Sequence, residues 1–517
     1  MKDKYILAHD TGTTSNKAVL VQLDGEIVGY ASAEYSVYYP KSGYAEQKPS
    51  DWWNAVTETT KALLEKANIK PSDITAIVFA TQMSGTLPVD SNGEPLMPCM
   101  IWLDTRAKEQ AEKMSRGIIK IAGYGLLTLI KFLSITGGIY GHAGKDPLCK
   151  ILWVKEEQPK IYAETYKFLD CKDYLILKCT GKPVISRDYA NIWWMMDTRK
   201  GKFNWSDAIL KKYGIDRAKL PEIMKATDIA GKLKPEAAAE MGLCEGTPVI
   251  VGAGDVTSAA IGSGAVTEGK IHAYVGTSGW LGCHLSERKK DLFHYIGCIC
   301  SANPDMYLCV AEQETAGACL DWLKNTMFKE SREEVYKLFS EMAAKIKPGA
   351  EGLIFTPWLF GERAPLDDPT VRGGFHNLSL EHAREHMVRA VLEGVALNMK
   401  WALFYLEKLA GKVESINIIG GGAMSNVWCQ IFADVMNRNI NRVSDSKEAG
   451  AKGAAVIAMI ALGYLKSFEE AEKLVKIDEV HEPNPKNAHI YEEIFREFQN
   501  IYKNNRKMYR RLNMKAS

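Results

Sequence analysis

Tyr5-Ile6-Leu7-Ala8-His9-Asp10-Thr11-Gly12-Thr13-Thr14-Ser15 is the stretch on which the fold turns. Tyr5–Ala8 is apolar enough for a short buried strand, and Asp10–Ser15 combines the small, polar and glycine residues that turn a chain tightly. Ala18–Leu23 resumes a β pattern, Asp24-Gly25 turns again, and Glu26–Tyr30 continues as a third strand. The opening therefore predicts a β-meander whose first tip is made of Gly, Thr and Ser. Such a tip offers backbone N–H groups and hydroxyls with little side-chain bulk, which suits phosphate oxygens, and Lys17 adds a charge close by. It is not a Walker loop, because no GxxxxGK[ST] is present and the tip leads into a strand rather than a helix.

The same device returns further along the chain. Val249-Ile250-Val251-Gly252-Ala253-Gly254-Asp255 reads as strand then turn, with helix-like Val256–Ile261 behind it. Lys270–Val275 predicts a strand, Gly276-Thr277-Ser278-Gly279 a second small-residue tip, and Trp280–Leu285 the returning strand. Ile416–Ile419 feeds Gly420-Gly421-Gly422-Ala423-Met424-Ser425-Asn426 and a helix through Val435. Glycines there permit close backbone approach, and the helix start favours an anion or a polar ribose. In the first half, Ser50 is the expected N-cap of a helix reaching about Ala67, and Ile74–Ala80 is a strand leading to Thr81-Gln82-Met83-Ser84-Gly85. Asn484–Asn505 predicts a terminal amphipathic helix. The turn Glu245-Gly246-Thr247-Pro248 precedes the second start, so two domains are expected, residues 1–248 and 249–517.

Composition narrows the classes without naming an activity. The 517 residues are 46% apolar and 25% charged, enough for sizeable cores and unlike a disordered chain. Lys and Arg total 65 against 63 Asp and Glu, a net charge of +2, which gives no global field for nucleic acid or a membrane surface. The longest uncharged apolar stretches, Ile121–Ile130 and Gly453–Leu465, fall short of the ~20 residues of a spanning helix. The N-terminus has no leader-like apolar run, and the eleven cysteines include no CxxC pair, so reduced thiols in a cytoplasmic protein are expected. The basic end formed by Lys503, Arg506, Lys507, Arg510, Arg511 and Lys515 reads as the solvated face of a helix.

Three glycine-containing loops in one chain are together suited to a split nucleotide site. Asp10 and Asp255 stand at the ends of predicted strands, one in each half. Phosphoryl transfer uses one carboxylate on a metal and another to take the proton of the attacking hydroxyl. Each aspartate also reads as a cap of the turn or helix that follows it, and the sequence leaves both readings open.

These blocks together resemble the FGGY family of carbohydrate kinases over nearly the whole chain. Asp10-x-Gly12-Thr13-Thr14-Ser15 is similar to the family's first phosphate loop and Gly276-Thr277-Ser278-Gly279 to its second. Gly43-Tyr44-Ala45-Glu46-Gln47-Lys48-Pro49-x-x-Trp52-Trp53 resembles its N-terminal block, Gly252-x-Gly254-Asp255 the segment bearing the catalytic aspartate, and Gly420-Gly421-Gly422-Ala423-x-Ser425-Asn426 the adenosine-binding turn. Gly361-Glu362-Arg363-Ala364-Pro365 and Arg389–Ala396 resemble the C-terminal domain of xylulose kinases.

The resemblance implies an α/β protein of two ribonuclease-H-like, actin-like ATPase domains with a cleft between them. It implies transfer of the γ-phosphate of ATP, with Mg²⁺, to a hydroxyl of a small sugar or polyol, a ketopentose such as D-xylulose first. Asp255 matches the general base and Asp10 the metal-side carboxylate. Gly12, Thr13, Thr14, Ser15, Lys17, Gly276 and Thr277 match phosphate contacts, and Gly421, Gly422, Ala423 and Asn426 the adenosine side. Gln82, Met83, Ser84, Trp102, Asp104 and Asp255 match the acceptor side. The expected partners are the acceptor and ATP, without nucleic acid or membrane, and a homodimer is an open expectation.

The acceptor side departs from the xylulose-kinase pattern. Ser84 stands for a histidine, Leu103 for an asparagine and Val256 for an asparagine, and each change removes a long polar group. Trp193-Trp194 reads either as a sugar-stacking pair or as core. Residues 118–144 are Gly-rich and unusually apolar and match no block. Two other classes share the phosphate loops: a nucleotide switch read out by partner binding, and a sugar sensor without turnover.

Overall fold

Strand β1 (Tyr5–Thr11) has Ile6, Leu7 and Ala8 fully buried, the pattern of a central strand covered on both faces. The computed structural model describes residues 4–328 and 332–514. They fall into two units. The first is built from the chain up to Gly262 together with Ile299–Tyr307 and Glu448–Leu474. The second is built from Ser263–Cys298, Leu308–Lys447 and the chain from Val475 on.

In the first unit, β1 is followed by β2 (Ser15–Gln22) and β3 (Ile27–Glu34), helix α1 (Pro49–Ala67) and β4 (Ile74–Thr81). β5 (Ile229–Lys232), β6 (Pro248–Gly254) and α5 (Asp255–Gly262) close it, after α2 (Pro147–Glu157), α3 (Cys171–Thr180) and α4 (Arg187–Ile192). The sheet order is β5-β6-β4-β1-β2-β3. β1 pairs antiparallel with β2 and parallel with β4, and β6 runs parallel to β4. Trp52, Val56 and Leu63 of α1 join Leu7, Leu20, Ile77 and Phe79 of the strands in one core.

The second unit repeats the plan. β7 (Ile271–Val275) and β8 (Gly279–Leu285) form a hairpin, with β9 (Lys290–Asp291), β10 (Ile296–Cys300), β11 (Tyr307–Gln313), β12 (Ser415–Ile419), β13 (Asn439–Val443) and β14 (Ile477–His481). Their order is β9-β10-β11-β8-β7-β12-β13-β14. The first strand of each unit lies between its antiparallel hairpin partner and a parallel strand, β4 or β12. The helices used below are α6 (Gly317–Met327), α7 (Arg384–Ala410), α8 (Asn426–Met436), α9 (Ala449–Ala461) and α10 (Ala488–Asn513).

Four expectations are corrected. The domain break expected at 248 follows Gly262 instead, because β6 is a central strand of the first sheet, in register with β4 at Val249–Ile77 and Ile250–Val78. The first unit also takes α9, which packs on α5 across a small-residue crossing. A Cβ on Gly453 would lie 1.8 Å from the Ser258 carbonyl oxygen, and one on Gly262 would lie 1.9 Å from that of Ala449. Ser50 is not the cap of α1. The helix begins at Pro49 after Lys48, and proline at the first position presets φ and carries no N–H to satisfy. The first tip is shorter than expected, since Asp10 and Thr11 belong to β1 and Ser15 to β2. The terminal helix starts at Ala488, after a 3₁₀ turn capped by the Asn484 side chain, and Lys515 lies outside the described residues.

All eleven cysteines are free thiols, and only Cys244 is exposed. No described helix is long and apolar enough to cross a membrane. Residues 118–144 form a short hairpin, Lys120–Ile121 with Tyr124–Gly125, followed by helix Leu126–Ile135.

Candidate active site

The first tip is closed by the Gly12 amide donating to the Ser15 carbonyl (2.9 Å). Tyr35 clasps it: its amide donates to the Thr14 carbonyl (2.9 Å), and its hydroxyl donates to the carbonyls of Gly12 and Ser15. The Thr13 carbonyl accepts from Gln47 Nε2 (2.6 Å). Every tip carbonyl is thus held inward, while the amides of Thr13 and Thr14 donate to nothing among the described residues. Beneath the tip, Asn16 links Thr11, His9 and Thr59 in a buried network. Burial drives the His9 pKa down to about 3, against the raising effect of Asn16. Above pH 6.5 the titration of this residue adds no pH dependence to stability. Between pH 6.5 and about 3 the unfolded chain takes up a proton that the folded one refuses, so stability falls as pH falls. The slope of unfolding free energy against pH from 4 to 6 should be smaller in His9→Gln than in wild type by up to about 1.4 kcal/mol per pH unit. Equal slopes in urea titrations would refute this.

Asp10 pairs in register with Lys17 across β1 and β2. Burial raises its pKa, with Lys17 opposing. Gly450 leaves the space in front of it open, since a Cβ there would sit 2.7 Å from Oδ2. Among the described residues no cluster of three or more His, Cys, Asp or Glu is disposed to hold a metal by itself. A lone carboxylate fits Mg²⁺, which is commonly held by one or two carboxylates together with substrate phosphates.

Asp255 opens α5 at the end of β6, and its Oδ1 accepts from the Val256 amide (2.8 Å). Its flanks are held by a residue that the sequence did not single out. Buried Asp188 on α4 accepts at Oδ2 from the Gly254 amide (2.7 Å) and the Thr257 hydroxyl (2.5 Å), and at Oδ1 from Ser186 (2.5 Å). Met83 lies against the same turn, so that a Cβ on Gly254 would be 2.3 Å from its sulfur.

The acceptor side is tied to the first tip through Gln47. Its Oε1 accepts from Trp52 Nε1 (3.0 Å) and from Gln82 Nε2 (2.6 Å), while its Nε2 holds the first tip. Gln82 is buried, and its Oε1 has no hydrogen-bond partner among the described residues. Trp102 Nε1 donates to the Thr13 hydroxyl (3.0 Å), joining the acceptor loop to the phosphate tip. Ser84 takes a left-handed backbone (φ 68°), and its carbonyl accepts from Lys150 (2.8 Å). Lys150, fully buried on α2, also donates to the Ile101 carbonyl (2.7 Å) and so staples the two acceptor loops together. Burial lowers its pKa to about 8, with Asp104 the leading opposing charge.

Asp104 is the acceptor-side candidate that the structure does not leave open. It is fully buried, accepts from the Ala45 amide (2.8 Å) and is gripped by the Arg106 guanidinium at both oxygens. Trp193 belongs to the core beside Trp205, whereas Trp194 is half-buried with its Nε1 on Asp146 (2.7 Å).

The second unit carries a matching tip. Gly276 donates to the Ser278 carbonyl (3.0 Å), Gly317 to that of Gly276 (2.7 Å), and Ala316 and Ala318 to that of Thr277 (2.9 and 3.0 Å). Here too the carbonyls are engaged, and among the described residues the amides of Thr277 and Ser278 are not. The glycine turn presses on the strand leading to this tip: a Cβ on Gly420 would be 2.6 Å from the Val275 carbonyl, and one on Gly422 would be 2.4 Å from the Val275 side chain. Gly421 faces open space, and Ala423 is buried in the core. Asn426 starts α8 with its Oδ1 accepting from Arg442.

Comparison with known proteins agrees with these features. The N-terminal domain of the FGGY family of carbohydrate kinases matches residues 5–262, and its C-terminal domain matches 272–462. The chain is 30% identical to a xylulose kinase of Bacillus subtilis, over 96% of this chain and 97% of that one. It is equally 30% identical to a gluconokinase of the same organism, over 96% and 95%. The crystal structure of a ligand-bound xylulose kinase from Lactobacillus acidophilus superposes with a TM-score of 0.87 at 28% identity, over 98% of this chain and all of that one. With both domain matches in place and the two units repeating one strand order, the chain belongs to the FGGY family of carbohydrate kinases and has its two-domain, actin-like ATPase fold.

Proposed function

We propose that the protein transfers the γ-phosphoryl group of ATP to a hydroxyl of a small polyhydroxylated acceptor. Thr13 and Thr14, with Gly12, Ser15 and Lys17, hold phosphate oxygens from the first unit, and Gly276 and Thr277 from the second. Gly421, Gly422 and Asn426 take the adenosine side. Asp10 holds Mg²⁺, which when bound neutralises phosphate charge. Asp255 accepts the proton of the acceptor hydroxyl as that oxygen attacks the γ-phosphorus and ADP leaves. Gln82, Met83, Ser84 and Trp102 line the acceptor, and Asp104 shapes the loop that carries Trp102.

The observation that carries this reading is the repeated tip, in which every carbonyl is turned inward while two neighbouring amides stay unengaged. That arrangement is a nest for anionic oxygens. A ketopentose such as D-xylulose heads the neutral acceptors on the motif blocks, and the gluconokinase match brings in sugar acids at the same similarity. The test is a coupled ADP-release screen of ketoses, alditols and aldonates with Mg-ATP. Acceptor-dependent release is expected. Slow hydrolysis indifferent to every acceptor would replace this reading with a nucleotide switch.

A further inference from the structure

The segment of residues 141–150, a loop running into the first turn of α2, is tied to both acceptor loops. At its far end Lys150 binds the carbonyls of Ser84 and Ile101. In its middle Gly144 is pressed on the Trp102–Ala107 segment: with φ 70°, a Cβ there would fall 2.3 Å from the Ala107 carbonyl carbon. Asp146 fixes the shape between them, accepting from the Gly141 amide (2.7 Å) and from Trp194 Nε1 (2.7 Å). Trp194 itself has φ 58°, rare for a bulky residue. The residue this frame delivers to the acceptor side is Lys145. Its Nζ lies 5.7 Å from the centroid of the Trp102 ring, the same indole whose Nε1 is bonded to Thr13 at the phosphate tip.

We infer that Lys145 reads an anionic end of the acceptor, which makes the preferred substrate a sugar acid, a polyhydroxylated carboxylate, rather than a neutral ketose. This inference rests on the kinase reading above. Two changes in the chain point the same way. Relative to the xylulose-kinase pattern, Leu103 removes an amide and Ser84 shortens a long polar side chain in the acceptor loops, and Lys145 brings a cation to that side. A site with shorter polar partners and an ammonium beside Trp102 discriminates by charge more than by hydroxyl pattern. An ammonium–carboxylate hydrogen bond is also among the stronger single contacts a small ligand can make.

The experiment compares D-gluconate with D-glucitol, which share one carbon chain and differ by a carboxylate in place of a hydroxymethyl group, with D-xylulose as the neutral ketose. For wild type, kcat/KM by ADP release is expected to favour gluconate over glucitol about 10- to 100-fold. K145M should erase most of that ratio, and K145R should restore much of it. Added salt should raise the KM of gluconate and not that of glucitol. Better use of xylulose or glucitol than gluconate by wild type, or an unchanged gluconate-to-glucitol ratio in K145M, would overturn the inference. If no acceptor stimulates ADP release, the kinase reading fails separately. Calorimetric titration with gluconate then decides Lys145: binding to wild type that weakens in K145M keeps it, and no binding, or equal binding, overturns it.

Discussion

Replacing Asp255 by alanine is expected to lower kcat about 10²- to 10⁴-fold at saturating ATP and acceptor, the usual contribution of a positioned general base. Alanine alone does not separate catalysis from capping, because Asp255 also opens α5 and bonds its own Val256 amide. Asparagine does. It caps a helix as well as aspartate, yet it cannot take up the proton of an alcohol. Asp255→Asn should therefore keep the thermal midpoint within a few degrees of wild type and share the loss in kcat. An asparagine variant with near-normal turnover would leave Asp255 a cap and move the base elsewhere.

Asp188→Ala should produce the second largest loss. The change strips the acceptor from the Gly254 amide and from the hydroxyls of Thr257 and Ser186, all inside the unit. Two of those three donors flank Asp255, so the turn that presents it is freed on both sides. A displacement of about 1 Å can cost roughly 10²-fold in rate, and a fall in kcat of that size is expected. A buried donor left without an acceptor costs about 1–3 kcal/mol, so the thermal midpoint should drop as well. The double variant distinguishes positioning from general weakening. If Asp188 acts through Asp255, Asp188→Ala in the Asp255→Ala background should reduce kcat little further. Full additivity of the two losses would show that Asp188 supports the fold and has no hold on the reaction.

The legible part of this protein was the part written locally. Each tip lies between two strands only a few residues apart, so its glycine and threonine chemistry and its flanking apolar runs stand together in the chain, and both hairpins formed where expected. The boundary at 248 failed for the opposite reason. A turn before a strand looks like a domain start, and nothing in Pro248–Gly254 announces that its hydrogen-bond partner is Ile74–Thr81. Gln47 stands inside the Gly43–Trp53 block, but its work is to join Thr13, Trp52 and Gln82, and two of those partners lie 34 and 35 residues away. Asp188 and Lys150 are less visible still, since each reaches a partner 66 residues distant, Gly254 and Ser84, and neither sits in a recognisable motif. The signal that could have found them is charge in an apolar setting: Lys150 is followed by Ile151-Leu152-Trp153-Val154, and Asp188 sits just after Val184-Ile185. Asp104 shows the converse error. A carboxylate beside a tryptophan suggests a ligand contact, but its near neighbour Arg106 had already claimed both oxygens.

The far C-terminal origin of α9 has a consequence for how the chain is made. Gly262 and Ser258 are shaped to receive a helix that begins at Ala449, nearly two hundred residues later. At about 5–20 residues per second, the ribosome delivers that helix some ten to forty seconds after the sheet it covers has emerged. Through that interval the first unit is a nascent intermediate with an uncovered glycine- and alanine-lined seat. A fragment ending at Gly262 would be held in the same state permanently. Vectorial synthesis thus completes the first-made half of this kinase almost last, and its exposure to chaperones and proteases is set by translation of the second half.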